Sequence, residues 1–306
     1  MTRAGRRLQR GRPAAACHGS SAGGVGAADY SWSMPDSQQS RPSAATSSPN
    51  VRTAAISESV HALAAARQRE LGRPLVVLDL GGGTGGLAVP LALAGHHVHV
   101  LDPSPDALAS LQRRAREHGL GEAQEAGTGS VAAAQGDADT LQDVEAVREL
   151  VGGRPIDLIC CHEVLEWADD PAGTLRAIAR ILPPGGALSL VTSGRLAAVL
   201  GRVLAGRFAQ AHRALTSRDG RWGEADPMPR RFDTAALTEL LTSCGFAIED
   251  VHGARIFADL VPSAYVDSDA DRRALLELEA AASAHPDYPL LAQLGAAMHI
   301  VARRRS

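Results

Sequence analysis

The run Val76-Val77-Leu78-Asp79-Leu80-Gly81-Gly82-Gly83-Thr84-Gly85-Gly86 joins an apolar stretch to an acid and then to a cluster of glycines. Such a cluster lets the backbone turn tightly and admits a ligand where any Cβ would collide with it, so the run predicts a nucleotide-binding strand-turn-helix. Gly81, Gly83 and Gly86 also satisfy the G-x-G-x-x-G spacing, which suits a dinucleotide and hydride transfer. The glycines by themselves leave the ligand open.

Asp79 weighs against a dinucleotide. A carboxylate at the mouth of the turn would repel a pyrophosphate arriving at the helix N-terminus, but it suits an ammonium or sulfonium, and so favours S-adenosyl-L-methionine (SAM). A second apolar segment, His97-Val98-His99-Val100-Leu101, ends in Asp102, about twenty residues on, where an acid can accept hydrogen bonds from both ribose hydroxyls of either cofactor. Asp102 can also be read as a helix N-cap before Pro103. His96, His97 and His99 do not make a metal site: strand alternation puts His97 and His99 on one face, within an otherwise apolar segment.

The elements that must position these residues alternate. Strands are expected at 75–79, 97–101, 131–135, 156–161 and 187–192, with helices at 85–94, 105–118, 140–151 and 172–182, and a further helix at 51–71 that Gly72 and Pro74 terminate. Residues 119–130 read as a Gly-rich surface loop. This βαβα order predicts a Rossmann-like, doubly wound, mostly parallel sheet with its ligand at the carboxyl ends of the central strands. Beyond an irregular insert at about 194–232, a helix (233–243), a strand (246–251), a strand-like piece (254–261), a helix (270–284) and a last strand (297–303) complete a seven-stranded sheet, with one antiparallel strand at its edge.

Composition closes several alternatives. The chain has 306 residues, a formal charge of -3, and no lysine, all 31 basic residues being arginine. Schiff-base and P-loop lysine chemistry are therefore excluded. Cys17, Cys160, Cys161 and Cys244 lack zinc-site spacing and read as buried thiols in a reducing compartment. No apolar run is long enough to span a bilayer, and no hydrophobic segment follows Arg6-Arg7, so a cytoplasmic protein without membrane or metal partners is expected. Residues 1–50, rich in Gly, Ser, Ala, Pro and Arg, are expected to be a disordered tail, and 51–306 a single catalytic domain whose insert at about 194–232 caps the active site as a lid.

In order along the chain, LDLGGGTGG at 78–86, Asp102, Gly136-Asp137-Ala138-Asp139, Cys161-His162-Glu163-Val164-Leu165-Glu166-Trp167 and Leu182-Pro183-Pro184-Gly185-Gly186 together resemble class I SAM-dependent methyltransferases. The resemblance implies that Gly81, Gly82 and Gly83 line SAM, Asp102 holds its ribose, Asp137, Ala138 and Asp139 lie by the adenine, and His162 lines the methionine end. A narrower likeness, to the bacterial tRNA 5-carboxymethoxyuridine methyltransferases, rests on Val164-Leu165-Glu166-Trp167-Ala168-Asp169-Asp170-Pro171, Ala205-Gly206-Arg207-Phe208, Gly253-Ala254-Arg255-Ile256-Phe257-Ala258-Asp259, Leu275-Leu276-Glu277-Leu278-Glu279 and Met298-His299-Ile300-Val301-Ala302-Arg303. It implies a carboxylate acceptor in a tRNA anticodon loop and a SAM-binding role for Arg52. The sequence departs from that family in its long N-terminal tail, in a lysine-free insert, and at tryptophan or tyrosine positions taken by Ala or Leu.

A carboxylate nucleophile is ionised at neutral pH and needs no general base. It does need a cation, for which Arg255 is the candidate, because guanidinium pairs with carboxylate bidentately. Glu163 and Glu166 are expected to flank the helix rather than to react. In the insert, Arg195, Arg202, Arg207, Arg213, Arg218, Arg221, Arg230 and Arg231 face only Asp219, Glu224 and Asp226, a local excess of five positive charges. That excess would attract a phosphate backbone, and Phe208, Trp222 and Phe232 offer stacking faces for a base; a solvated arginine-rich lid is the plainer reading. Two other functions fit the same residues: a small-molecule O-methyltransferase of secondary metabolism acting on a carboxylic acid or hydroxyl, and a catalytically inactive SAM- and RNA-binding module.

Overall fold

The computed structural model describes residues 51–120 and 129–306. The expectations for the tail at 1–50, for Cys17 and for most of the loop at 119–130 lie outside the described residues. Seven strands, β1 (Val76–Leu80), β2 (His97–Asp102), β3 (Ser130–Gln135), β4 (Leu158–His162), β5 (Ala187–Ser193), β6 (Phe246–Ala254) and β7 (Ala297–Arg304), form one sheet in the order β3-β2-β1-β4-β5-β7-β6. Strands β1 to β5 pair in parallel. The chain winds outward from β1 through β2 to β3, then returns to β4 on the other side of β1. That reversal opens a crevice at the carboxyl ends of β1 and β4.

Strand β1 is buried along its whole length, and successive residues feed opposite layers. Val77 joins Val98, Val100, Leu91 and Leu111 on one face, whereas Leu78 and Leu80 join Ile159, Leu175, Ile178, Leu237 and Phe246 on the other. The first layer is made by α1 (Val51–Leu71), α2 (Ala88–Leu93) and α3 (Pro105–Glu117), the second by α4 (Val144–Leu150), α5 (Pro171–Ile181) and α8 (Thr234–Ser243). Burying each such Leu or Ile contributes about 1.5–3 kcal/mol. Cys160 and Cys161 divide between the layers as buried free thiols.

Three expectations are corrected. The antiparallel strand is not at the edge: β7 lies between β5 and β6 and runs against both. Residues 255–261 form no strand, because the Glu279 carboxylate takes the N–H groups of Ile256, Phe257 and Ala258 at 2.7, 2.8 and 2.7 Å, leaving those donors unavailable to a ladder. The helices at 85–94 and 140–151 are shorter than periodicity suggests. Gly85 remains in a left-handed turn (φ 79°), and Asp143 restarts a helix at Val144 by accepting from the N–H groups of Glu145 and Ala146. The insert holds α6 (Arg195–Leu204) and α7 (Phe208–Thr216); α9 (Asp269–Ser283) and α10 (Leu290–Gln293) precede β7.

Candidate active site

The glycine turn lies directly beyond β1. Gly81 is left-handed (φ 72°) and donates its N–H to Leu101 O at 2.8 Å; a Cβ there would stand 2.5 Å from Val164 Cγ2. At Gly82 a Cβ would stand 2.5 Å from Asp79 Oδ2. The turn can therefore lie over the Asp79 carboxyl only because Gly82 has no side chain. Asp79 itself is buried, and its Oδ2 has no hydrogen-bond partner. Burial, and secondarily the charge of Asp102, pushes its pKa up to about 7. An acid held without a counter-charge at the floor of a crevice is poised for a cationic group.

Asp102 ties the turn to the end of β2. Its Oδ2 accepts from the Gly83 N–H and its Oδ1 from the Ser104 N–H, each at 2.9 Å. Each oxygen keeps a lone pair for a further donor. The N-cap of α3 is Ser104, which accepts from the Ala107 N–H, so Asp102 does not serve as that cap. A cavity of about 570 Å³ beside it is lined by Gly81, Asp102, Pro103, Asp137, Ala138, Asp139, His162, Glu163, Val164 and Trp167, among others. Ala138 is buried in its wall. Asp137 orders that wall by accepting from the N–H groups of Asp139 and Thr140 at 3.0 and 3.1 Å.

A second cavity, of about 310 Å³, shares Gly81, His162 and Glu163 with the first and adds Thr53, Ile56 and Ser57 of α1 with Asp79, Gly82, Val191 and Arg255. The two form a continuous candidate site at the switch point. His162 points Nε2 at Ser189 Oγ, 2.8 Å away, and burial lowers its pKa to about 4, so it is neutral near pH 7. Arg255 lies 3.5 Å from the Glu163 carboxylate and 3.6 Å from that of Asp259. Both Arg255 (φ 58°) and Glu163 (φ 56°) are left-handed non-glycine residues, a conformation that costs of order 1–3 kcal/mol and clusters at functional sites.

The structure thus brings together Asp79, Gly81, Gly82, Asp102, Asp137, Ala138, Asp139, His162 and Arg255, with Gly83 holding Asp102 from behind. Arg52 opens α1, and its side chain lies outside the described residues. Trp167, 59% exposed at the cavity rim, and the first turns of α1 escape sequence reasoning, since neither residue type nor periodicity separates a rim position from a core one. Glu166 is fully buried and accepts from the Ser193 N–H at the end of β5. That contact makes it a support for the crevice.

The insert differs from a uniformly basic face. Arg195 donates to the carbonyls of Ala214, Leu215, Ser217 and Arg218 and pairs with Asp233. Arg231 pairs bidentately with buried Asp226, and Arg221 donates to the carbonyls of Glu224 and Asp226. These three hold the insert together, while Arg207, Arg213 and Arg218 are exposed. Of the three expected stacking faces, only Phe208 is open, at 69% exposure: Trp222 lies under the Arg202 guanidinium, 4.0 Å away, and Phe232 packs against the core.

His97 and His99 bind Ser130 and Arg154. Among the described residues no cluster of His, Cys, Asp and Glu could hold a metal ion, and no helix is long and apolar enough to cross a membrane.

Comparison with known proteins bears on the family. A family model described as a methyltransferase domain matches residues 51–251. The chain is 31% identical over 233 residues to the tRNA 5-carboxymethoxyuridine methyltransferase of Escherichia coli (strain K12), covering 75% of this chain and 80% of that protein. It is 33% identical over 182 residues to the ubiquinone biosynthesis O-methyltransferase of Xylella fastidiosa (strain 9a5c), covering 58% and 63%. Among solved structures, magnesium protoporphyrin IX methyltransferase from Synechocystis PCC 6803 with bound SAH aligns with TM-score 0.48 and 17% identity over 81% of this chain and 83% of that one.

Proposed function

The chain belongs to the SAM-dependent methyltransferases of the class I, Rossmann-like fold, and we propose that its acceptor is a carboxylate carried on RNA, foremost that of 5-carboxymethoxyuridine at the tRNA wobble position. The observation that carries this reading is Arg255, a guanidinium on the wall of the cavity that also holds the glycine turn and His162. Identity to the E. coli tRNA enzyme across most of both chains supports the same acceptor.

SAM fits the residues present: the unpartnered Asp79 oxygen under Gly82 suits its cationic end, and Asp102 with the Asp137–Asp139 turn suits its nucleoside end. When bound, it supplies a methyl group on a sulfonium for in-line displacement. The chain's own part is to place the acceptor and exclude water. Arg255 would hold the acceptor carboxylate, with the Glu279-bound loop fixing its backbone, and Glu163 would have to yield part of its contact with that guanidinium. His162 takes no proton from a carboxylate already ionised. Phe208 and Trp167 would offer exposed ring faces to an unstacked base, while Arg207, Arg213 and Arg218 would meet phosphates. A cytoplasmic location goes with a tRNA acceptor.

A second reading, a small acid or hydroxyl as acceptor, is favoured by the internal use of Arg195, Arg221 and Arg231, which makes part of the insert's charge scaffolding. Transfer of labelled methyl from SAM to tRNA bearing unesterified carboxymethoxyuridine, followed by mild alkali, separates the two. Alkali-labile label is the expected result. No label, in protein that binds SAM, would overturn the RNA acceptor.

A further inference from the structure

A row of hydrogen bonds crosses four adjacent strands from the cavity to the far edge of the sheet. His162 Nε2 on β4 meets Ser189 Oγ on β5 at 2.8 Å, and Ser189 Oγ meets His299 Nε2 on β7 at 2.8 Å. His299 Nδ1 meets His252 Nε2 on β6 at 2.9 Å, and His252 Nδ1 lies 3.3 Å from Asp250 Oδ2. Ser189 and His299 are fully buried, whereas the Asp250 side chain is 65% exposed.

A neutral imidazole has one donor and one acceptor, a serine hydroxyl has one proton to give, and an ionised carboxylate only accepts. Asp250 is therefore the one member whose role is fixed in advance, and it fixes the rest. Its negative charge, 3.3 Å from His252 Nδ1, favours the proton on that nitrogen, so His252 Nε2 accepts from His299 Nδ1–H. His299 Nε2 then accepts the Ser189 hydroxyl proton, and Ser189 Oγ accepts from His162 Nε2–H. The proton of His162 is thereby assigned to Nε2, and Nδ1 is left with its lone pair. Burial keeps His162 and His299 neutral, their pKa values falling to about 4 and about 3, so these two carry tautomers rather than charge.

We propose that Asp250, through His252, His299 and Ser189, locks the tautomer of His162 so that its wall of the cavity receives a hydrogen-bond donor, an ammonium or a hydroxyl, and directs a carboxylate to Arg255. Asp250, His252, His299 and Ser189 are positioning residues in this scheme. The consequence for the acceptor rests on the functional reading above; the tautomer does not.

The test is ring ¹⁵N–¹H correlation spectroscopy of the full chain labelled with ¹⁵N-histidine, without ligand, at pH 8, above the ordinary range of histidine. The expected result is His162 protonated at Nε2, and His299 and His252 at Nδ1, in a ratio of about ten to one or more, as a carboxylate charge beside one ring nitrogen can set. Asp250→Asn replaces a pure acceptor by a group that can donate, and should return His162 to a mixture, while Asp250→Glu should restore the single form. Nδ1–H at His162 in the unaltered chain, or a His162 spectrum indifferent to Asp250→Asn, would overturn the proposal. The unaltered chain decides the polarity even where a variant folds poorly. Failure here would leave methyl transfer to RNA untouched, and failure of that transfer would leave the spectrum as expected.

Discussion

Arg255 and Glu163 meet at 3.5 Å in the lining of the second cavity, each in a left-handed backbone conformation. Two strained residues, one after β4 and one after β6, meet as an ion pair at the point where the acceptor is expected. The pair is only partly screened from water, since the Arg255 side chain is 22% exposed and that of Glu163 52%, so its own contribution to stability is small, about 0–1 kcal/mol. Positioning the guanidinium explains it better than stabilising the fold does.

Arg255→Ala should reduce methyl transfer to a carboxylate acceptor by about 10- to 100-fold, the loss of a charge-assisted hydrogen bond, while SAM affinity stays within about twofold. Isothermal titration with SAM beside a steady-state transfer assay measures both. Equal loss of the two would remove Arg255 from acceptor binding.

Asp102→Ala should weaken SAM binding by at least about tenfold, since the two ribose hydrogen bonds proposed for it would be lost together with the tether to Gly83. Asp102→Asn, which keeps one acceptor oxygen, should fall between. An unaltered dissociation constant for both variants would reject the ribose assignment.

Asp79 makes the ligand-free protein sensitive to pH in a definite direction. In the folded chain its pKa is raised to about 7 by burial and by Asp102, against 3.8 ordinarily. Between those values the folded state holds a proton that the unfolded state has released, so stability present in full below about pH 4 is lost as pH rises through about 7. The loss is at most of order 4 kcal/mol. The melting temperature should fall from pH 5 to pH 8, and Asp79→Asn should flatten that fall while weakening SAM binding.

Gly85→Ala should destabilise the fold by about 2–4 kcal/mol, combining a left-handed backbone with overpacking. Its new Cβ would stand 2.2 Å from Leu111 Cδ1 with φ at 79°. Chemical denaturation reads the cost directly. The paired change Gly85→Ala with Leu111→Ala should recover the steric part and leave the backbone part.

The sheet and the crevice beside β1 and β2 were legible because each rests on local signals: strand alternation for β1 to β5, and glycine and acid positions at 79–83 and 102. What was not legible depends on contacts distant in sequence. Glu279 abolishes a strand at 255–261 from 21 to 23 residues away, and no periodicity at 254–261 could reveal it. Periodicity also showed the last strand without its neighbours, so the place of β7 inside the sheet emerged only with the register. In the insert, charge counting gave eight arginines and three acids but could not tell that Arg195 spends its guanidinium on backbone carbonyls.

The interior position of β7 bears on how the protein is made. Among the described residues strand β6 pairs only with β7, so a nascent chain emerging from the ribosome exposes β6 with its ladder groups unmatched until residues 297–304 have followed it out. The glycine turn and Asp102 can assemble early on β1 and β2, while Arg255, one residue past β6, waits for the last strand. Translation thus delivers the glycine turn and Asp102 first and Arg255 last, and a stall or premature stop in the final stretch would release an open sheet edge prone to self-association.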